Sequence, residues 1–250
     1  MIRVEVDPAN PGQFFGCCGL FELAHRLWPD TTGRFERGSF VLSQGDLRQL
    51  IERAAAAPLR SLVESDKAAS PMELGAPFGL RLDWWKPGAG DTSLKPWAGT
   101  MLVSRIALAM QCDLSRTLEQ GFFSDGHVVR GPDKKKVEPF YFDARRGATA
   151  LPLDMGFSPD ALGLEVIAFP ATEFLTLVGL QRFRPAPLRP RVFRYRAWQA
   201  ELSATLAALA MATALPDAGP VYQFENAFRT DQRKHKAFSP AIPVTGVEDD

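Results

Sequence analysis

The chain has 250 residues, of which 29 are Lys or Arg and 29 are Asp or Glu, so its formal net charge is zero; 46% of the residues are apolar. That length suffices for one large core or two smaller ones, and a neutral chain has no overall field to draw in a polyanion, so any nucleic-acid site has to arise from local clustering. Charges or prolines break the apolar runs well short of a bilayer-spanning length, which argues against a membrane-spanning helix.

Residues 2–6 alternate as a charged strand and do not read as a secretory signal. Asn10 before Pro11 predicts a helix start. A helix from Gly12 to Trp28 fits Phe15, Cys18, Leu20, Phe21, Leu23, Ala24 and Leu27, with Pro29 ending it. The three cysteines are an odd number, and the adjacent Cys17 and Cys18 lie in this apolar helix, which points to reduced, buried thiols in a cytoplasmic protein. Residues 34–42 alternate as a hairpin around Arg37-Gly38. Asp46 to Ala57 reads as an amphipathic helix stopped by Pro58.

Phe78, Leu80, Leu82 and Trp84 alternate at strand period over residues 78–85. This turns Arg81, Asp83 and Trp85 to the other face and makes Trp85 a candidate exposed aromatic. Lys86, a loop at Pro87 to Gly90, and Lys95 beside Trp97 follow. Aromatic faces near lysines suit stacked bases and held phosphates; the same pattern fits a strand packed by tryptophan on both faces. Gly99 to Leu118 reads as a second long helix, apolar around most of its circumference and so central. Residues 121–147 read as loops around a short strand, Phe140-Tyr141-Phe142. Pro170 starts another helix; Val192 to Trp198 is strand-like; Ser203 to Leu215 is an alanine-rich helix; Val221 to Phe228 alternates again; Val247 to Asp250 form an acidic tail. Mixed short strands and helices predict an α+β fold, mainly antiparallel sheet with packed helices. The Gly- and Pro-rich stretch near 147–160 is the weakest join, so residues 1–150 and 160–250 form two lobes or one continuous domain.

Basic residues concentrate in three places. Residues 182–196 hold Arg182, Arg184, Arg189, Arg191, Arg194 and Arg196 and no acid. Three prolines keep the first half extended, and strand period puts Arg194 and Arg196 on one face and Phe193 and Tyr195 on the other. Guanidinium groups on a stiff backbone suit phosphate; the alternative is an edge strand blunted by charge. The second cluster is Arg130 with Lys134, Lys135 and Lys136. The third is Arg229, Arg233, Lys234, His235 and Lys236. Three such clusters in a neutral chain imply a polarised surface.

The three histidines, His25, His127 and His235, show no metal-ligand spacing with each other or with cysteine, and no Cys-x-x-Cys pair occurs. There is no phosphate-binding loop, dinucleotide fingerprint or Gly-x-Ser-x-Gly elbow. Asp125-Gly126-His127 offers a general base without a visible partner, and His235 among lysines suits acid–base cleavage of RNA or a basic patch. No catalytic residue, metal or cofactor is expected.

Four stretches together resemble a known family: Asn10-Pro11-Gly12-Gln13-Phe14-Phe15-Gly16-Cys17-Cys18-Gly19-Leu20; Leu82-Asp83-Trp84-Trp85 with Leu94-Lys95-Pro96-Trp97-Ala98-Gly99; Glu173-Phe174-Leu175 with Gly179-Leu180-Gln181-Arg182-Phe183-Arg184-Pro185; and Phe193-Arg194-Tyr195-Arg196-Ala197-Trp198. The chain resembles the small, large-subunit-like protein of CRISPR type I-U (I-G) systems from near residue 10 to near 240. The resemblance implies a non-catalytic subunit of the RNA-guided surveillance complex, Cascade, in antiviral defence. It implies contact with guide RNA and target DNA, with backbone and RNA-processing subunits, and with a separate helicase-nuclease, and no membrane partner. Guide pairing carries most sequence information in such complexes, while protein reads the flank and the backbone. Competing expectations are a CRISPR RNA-processing endoribonuclease, which lacks its glycine-rich loop here because Gly219 and Gly246 stand almost alone, a structural scaffold subunit, and a small-molecule enzyme.

Overall fold

Asn10 and Pro11 start the central helix as the sequence predicts. In the computed structural model, which describes residues 1–64, 69–86, 92–97, 101–147, 166–212, 219–229 and 235–244, a strand β1 (Ile2–Glu5) leads into helix α1 (Pro11–Leu27). The Asn10 side-chain oxygen accepts from the backbone N–H of Gly12 at 3.1 Å and of Gln13 at 3.4 Å, satisfying two of the donors a helix start leaves open. Every α1 residue from Pro11 to Ala24 is buried, so this helix is a spine rather than a surface element.

The hairpin follows as β2 (Thr32–Glu36) and β3 (Ser39–Leu42). Glu36 faces Ser39, and the two-residue turn places Arg37 at φ 38° and Gly38 at φ 77°, the left-handed pair that a tight hairpin requires. Helix α2 (Leu47–Ala56) is capped by Asp46, which accepts from the Gln49 N–H at 2.7 Å. Strands β4 (Leu59–Ser61), β5 (Met72–Leu74) and β6 (Leu80–Leu82) form a small antiparallel sheet. The tryptophan strand is therefore shorter than its apolar alternation predicts. A 3-10 turn, Thr92–Leu94, precedes helices α3 (Val103–Cys112), α4 (Thr117–Gln120) and α5 (Ala144–Gly147).

Within the expected long helix over Gly99 to Leu118, α3 closes at Asp113 and α4 starts only at Thr117, with Leu102 and Leu108 exposed, while residues 99 and 100 lie outside the described residues. Phe140 to Phe142 joins no ladder, because Tyr141 takes φ 69°. Helix α6 (Pro170–Gly179) is buried throughout. Then come β7 (Ala186–Arg189), β8 (Val192–Arg196), β9 (Leu202–Ser203), α7 (Ala204–Met211), β10 (Val221–Phe228), β11 (Lys236–Phe238) and β12 (Ile242–Val244). The expected acidic tail and the stretch near 147–160 lie outside the described residues, apart from the end of α5.

The fold is α+β, and every strand pairing among the described residues is antiparallel. The first sheet has the order β1-β3-β2-β9, so a C-terminal strand completes a sheet that begins at residue 2. The second has the order β11-β10-β8-β7, with β12 also on β10. Helix α1 lies between the two: the Phe14 ring is 4.7 Å from Phe35 of the first sheet and 4.3 Å from Tyr195 of the second. Along its length α1 meets α6, and glycines set their separation. A Cβ on Gly19 would overlap the Leu175 carbonyl, and one on Gly179 would overlap the Phe15 carbonyl, so the two backbones touch where a side chain would hold them apart.

A polar network seals the N-terminal end of this helix pair. Asn10 donates to Asp143 at 3.0 Å, the Ala144 N–H donates back to Asn10 at 3.1 Å, and Arg145 donates to both Asp143 oxygens. Glu173, fully buried, accepts from the N–H groups of Phe142 and Asp143. Among the described residues no helix is long and apolar enough to cross a membrane.

Candidate nucleic-acid interface

Strand β8 divides its residues by parity. Phe193 and Tyr195 turn inward against α1, where Tyr195 lies 5.3 Å from Phe15 and donates from its hydroxyl to the Pro8 carbonyl at 2.6 Å. Arg194 and Arg196 turn outward, as strand period predicts. The antiparallel register sets Arg194 beside Ala186 of β7 and Gln223 of β10, Arg196 beside Val221, and Arg189 beside Val192. Three arginines thus share the outer face of the second sheet.

These three side chains have no carboxylate partner among the described residues. Arg189 is exposed, Arg194 is half-buried, and Arg196 is only 5% exposed. The Nε atoms of Arg194 and Arg196 are shut off from solvent and lack a hydrogen-bond partner. Glu225, the acid that β10 contributes to this face, is taken by Arg191 at 3.2 Å. The Arg191 guanidinium also lies 4.4 Å over the Phe228 ring. A guanidinium withdrawn from water without an anion is unfavourable, and the cost falls when an anion arrives.

The other basic residues do different work. Arg182 is an internal tie: with Arg26 it holds the buried Glu22 carboxylate, Arg26 at 2.9 Å. Burial alone would raise the Glu22 carboxyl, but hydrogen bonds from Arg182 and Arg26 hold it below the usual carboxylate range. Arg182, expected to face nucleic acid, is instead committed to an ion pair with the buried Glu22, its own side chain half-buried. Arg184 is half-buried and already engaged. Lys134 and Lys135 are exposed in a turn closed by an Arg130–Lys136 bridge, and Lys136 lies 3.6 Å from Glu138; that turn shares no strand with the arginine sheet. Lys236 lies on β11 of the arginine sheet and is engaged. Arg233 and Lys234 lie outside the described residues.

Trp85 also needs correction. It is 1% exposed, not an open stacking platform. β6 stops at Leu82, and the chain turns so that the Lys86 N–H donates to Asp83 at 2.9 Å. Strand alternation no longer applies, and Trp84 and Trp85, 5.6 Å apart, both enter one cluster with Trp97, each 5.7 Å from it. Trp84 donates from Nε1 to the Leu177 carbonyl at 3.0 Å, fixing the cluster to α6. Lys95 lies 5.3 Å over Trp97, and burial pushes its ammonium group down from the ordinary value. Lys86 is half-buried at the end of this segment.

The partner of His127 is Asp113, which closes α3. His127 Nε2 lies 2.9 Å from Asp113 Oδ2, and Nδ1 lies 3.3 Å from Asp125 Oδ2, near but not aligned as a hydrogen bond. Arg116 lies 3.7 Å from the same Asp125 oxygen. His127 and Ala168 also exchange backbone hydrogen bonds at 2.9 Å. With a carboxylate facing each ring nitrogen, this imidazole has no nitrogen open to a substrate; it fastens a loop to α3 and to the chain entering α6. His25 Nδ1 is likewise engaged, with the Pro29 carbonyl at 3.0 Å.

No family model matches the chain, and no curated protein or solved structure matches it either; the arginine face, with its cations unpaired by acid, is the feature on which a functional reading has to stand.

Proposed function

We propose that this chain is a non-catalytic subunit of a type I CRISPR surveillance complex of the I-U (I-G) kind, lying against guide RNA or target DNA through the outer face of its second sheet. The observation that carries the reading is the row Arg189, Arg194 and Arg196 on one sheet face with no carboxylate partner among the described residues. A neutral protein has no general pull on polyanions, so cations left unpaired on one face favour a local anionic partner. Guanidinium groups bind phosphate through two parallel hydrogen bonds.

The complex-specific part of the proposal rests on the four stretches that resemble the family. Several of their residues have structural tasks that such a resemblance would preserve: Asn10 caps α1, Gly19 and Gly179 let the helices touch, and Trp84 anchors to α6. The backbone subunits, an RNA-processing subunit and a helicase-nuclease are then its partners, in the cytoplasm.

Co-expression with the genes that flank it and with a repeat array, followed by affinity purification through this chain, tests the proposal. The expected product contains the backbone subunits and a guide RNA of uniform length. Recovery of the chain without RNA and without those subunits, together with no affinity for nucleic acid at low salt, refutes it.

A further inference from the structure

We propose that the arginine face takes the phosphate backbone of a double-stranded nucleic acid in preference to a single strand, with Arg194 and Arg196 on neighbouring phosphates of one strand and Arg189 on a further one. This rests on the reading above that the chain contacts nucleic acid, and it adds which form of nucleic acid the face accepts.

The first ground is the position of the aromatic rings. Proteins that hold single strands combine a basic groove with aromatic platforms on which the bases stack. On this sheet the rings are on the wrong side. Tyr195 and Phe224 pack inward against Phe15, at 5.3 and 6.1 Å, and Phe193 packs on Phe224 at 5.5 Å. The two half-buried rings of β10 already have neighbours, Tyr222 stacking on Tyr195 and Phe228 lying beneath Arg191, and away from this sheet Phe169 lies beneath Arg145. Among the described residues no aromatic side chain is exposed. The face therefore offers charge to a backbone and no surface to a base.

The second ground is stiffness. β8 is hydrogen-bonded on both sides, to β7 and β10. Arg194 and Arg196 leave it on the same side, two residues and about 7 Å apart along the strand. Arg196 is 95% covered, with its Nε shut off and unpartnered, so little side-chain freedom remains to be lost when an anion meets it. A rigid row of cations matches a rigid row of phosphates. A single strand has to be ordered to lie along the row, and without stacking nothing on this face offsets that ordering.

The test is fluorescence anisotropy on the full chain over a salt series. The probes are an RNA–DNA heteroduplex, a DNA duplex of the same sequence, and the separate RNA and DNA strands. The expected result is that a duplex binds at least about tenfold more tightly than either strand, the phosphates being held without stacking; the two duplex arms show whether the RNA–DNA hybrid or the DNA duplex is the form held. The double variant Arg189→Ala, Arg194→Ala removes side chains that hold no carboxylate among the described residues, and it should lower the salt slope for the duplex by about two, one for each lost phosphate contact. Single strands bound as tightly as the duplexes overturn the duplex preference while leaving the nucleic-acid reading intact. A duplex slope unchanged in the double variant overturns the assignment of the arginine face. No binding of any probe by the wild-type chain at low salt overturns the nucleic-acid reading itself.

Discussion

Glu173→Gln should make the protein more stable at alkaline pH and flatten its dependence on pH. Glu173 stands in the first turn of α6 with no exposed surface, accepting from the N–H groups of Phe142 at 3.4 Å and Asp143 at 3.3 Å. Burial, and then the neighbouring Asp143 carboxylate, push its carboxyl up from 4.5 to about 8. In the folded state the group therefore keeps a proton that the unfolded chain gives up above 4.5. Its contribution is complete below 4.5 and is lost as pH rises to about 8, at about 1.4 kcal/mol per pH unit, on the order of 4–5 kcal/mol in all. Glutamine keeps the shape, with its oxygen accepting from one of the two N–H groups and its amide nitrogen standing, like the hydroxyl of the neutral acid, at the other, and it carries no ionisable proton. Urea unfolding of both proteins across this interval measures the effect. The wild type should lose stability steadily with pH, and the variant should lose about 1.4 kcal/mol less for each unit. Parallel profiles, or a wild-type profile that stays level through the interval, would refute the claim that burial holds the proton on Glu173.

Three further substitutions separate structural from functional cations and probe the helix pair. Arg196→Met places an apolar side chain of similar length where a covered guanidinium lacks a partner, so the free protein should gain about 1–3 kcal/mol in thermal or urea unfolding while duplex affinity falls; a stability loss with unchanged affinity contradicts this assignment. Arg182→Ala should do the reverse, costing about 2–4 kcal/mol by leaving Glu22 with Arg26 alone, with duplex binding unaltered once measured on folded protein. Gly19→Ala drives a methyl group into the Leu175 carbonyl and should cost about 3 kcal/mol or more, seen as a lowered unfolding midpoint; a neutral result means that α1 and α6 do not touch backbone to backbone.

Whatever depends on residues close together in sequence was legible before the structure. Asn10 with Pro11 marks the start of α1, the amphipathic run from Asp46 to Ala57 marks α2, and Arg37-Gly38 marks the hairpin turn. The parity of β8 puts Phe193 and Tyr195 on the side of α1 and Arg194 and Arg196 on the other because successive residues of a strand alternate faces. The misreadings arise where a local period runs past the end of its element. The apolar alternation from Phe78 runs on to Trp85, but the strand ends at Leu82 and the following turn buries both rings. Helical period was carried to Leu118, but α3 closes at Asp113.

The charge pattern shows the same division more sharply, and it bears on function. Six arginines within residues 182–196 look equivalent in sequence, since none has an acid beside it. Their differences come from distant partners: Glu22, 160 residues from Arg182, and Glu225, 34 residues from Arg191. Density of positive charge thus locates the segment but does not separate the paired guanidinium groups from the unpaired ones. The sheet register does, because it decides which guanidinium groups share a face and which acids share it with them. On the outer face of β7, β8 and β10 it brings together three arginines and a single glutamate already held by Arg191. An edge strand blunted by charge needs its cations only at the edge, yet β8 is an interior strand, flanked by β7 and β10. Arg194 and Arg196 are thus neither paired nor needed to protect an edge, whereas Arg189 lies on the edge strand β7; under the proposed function the charge of Arg194 and Arg196 is what an external anion would balance.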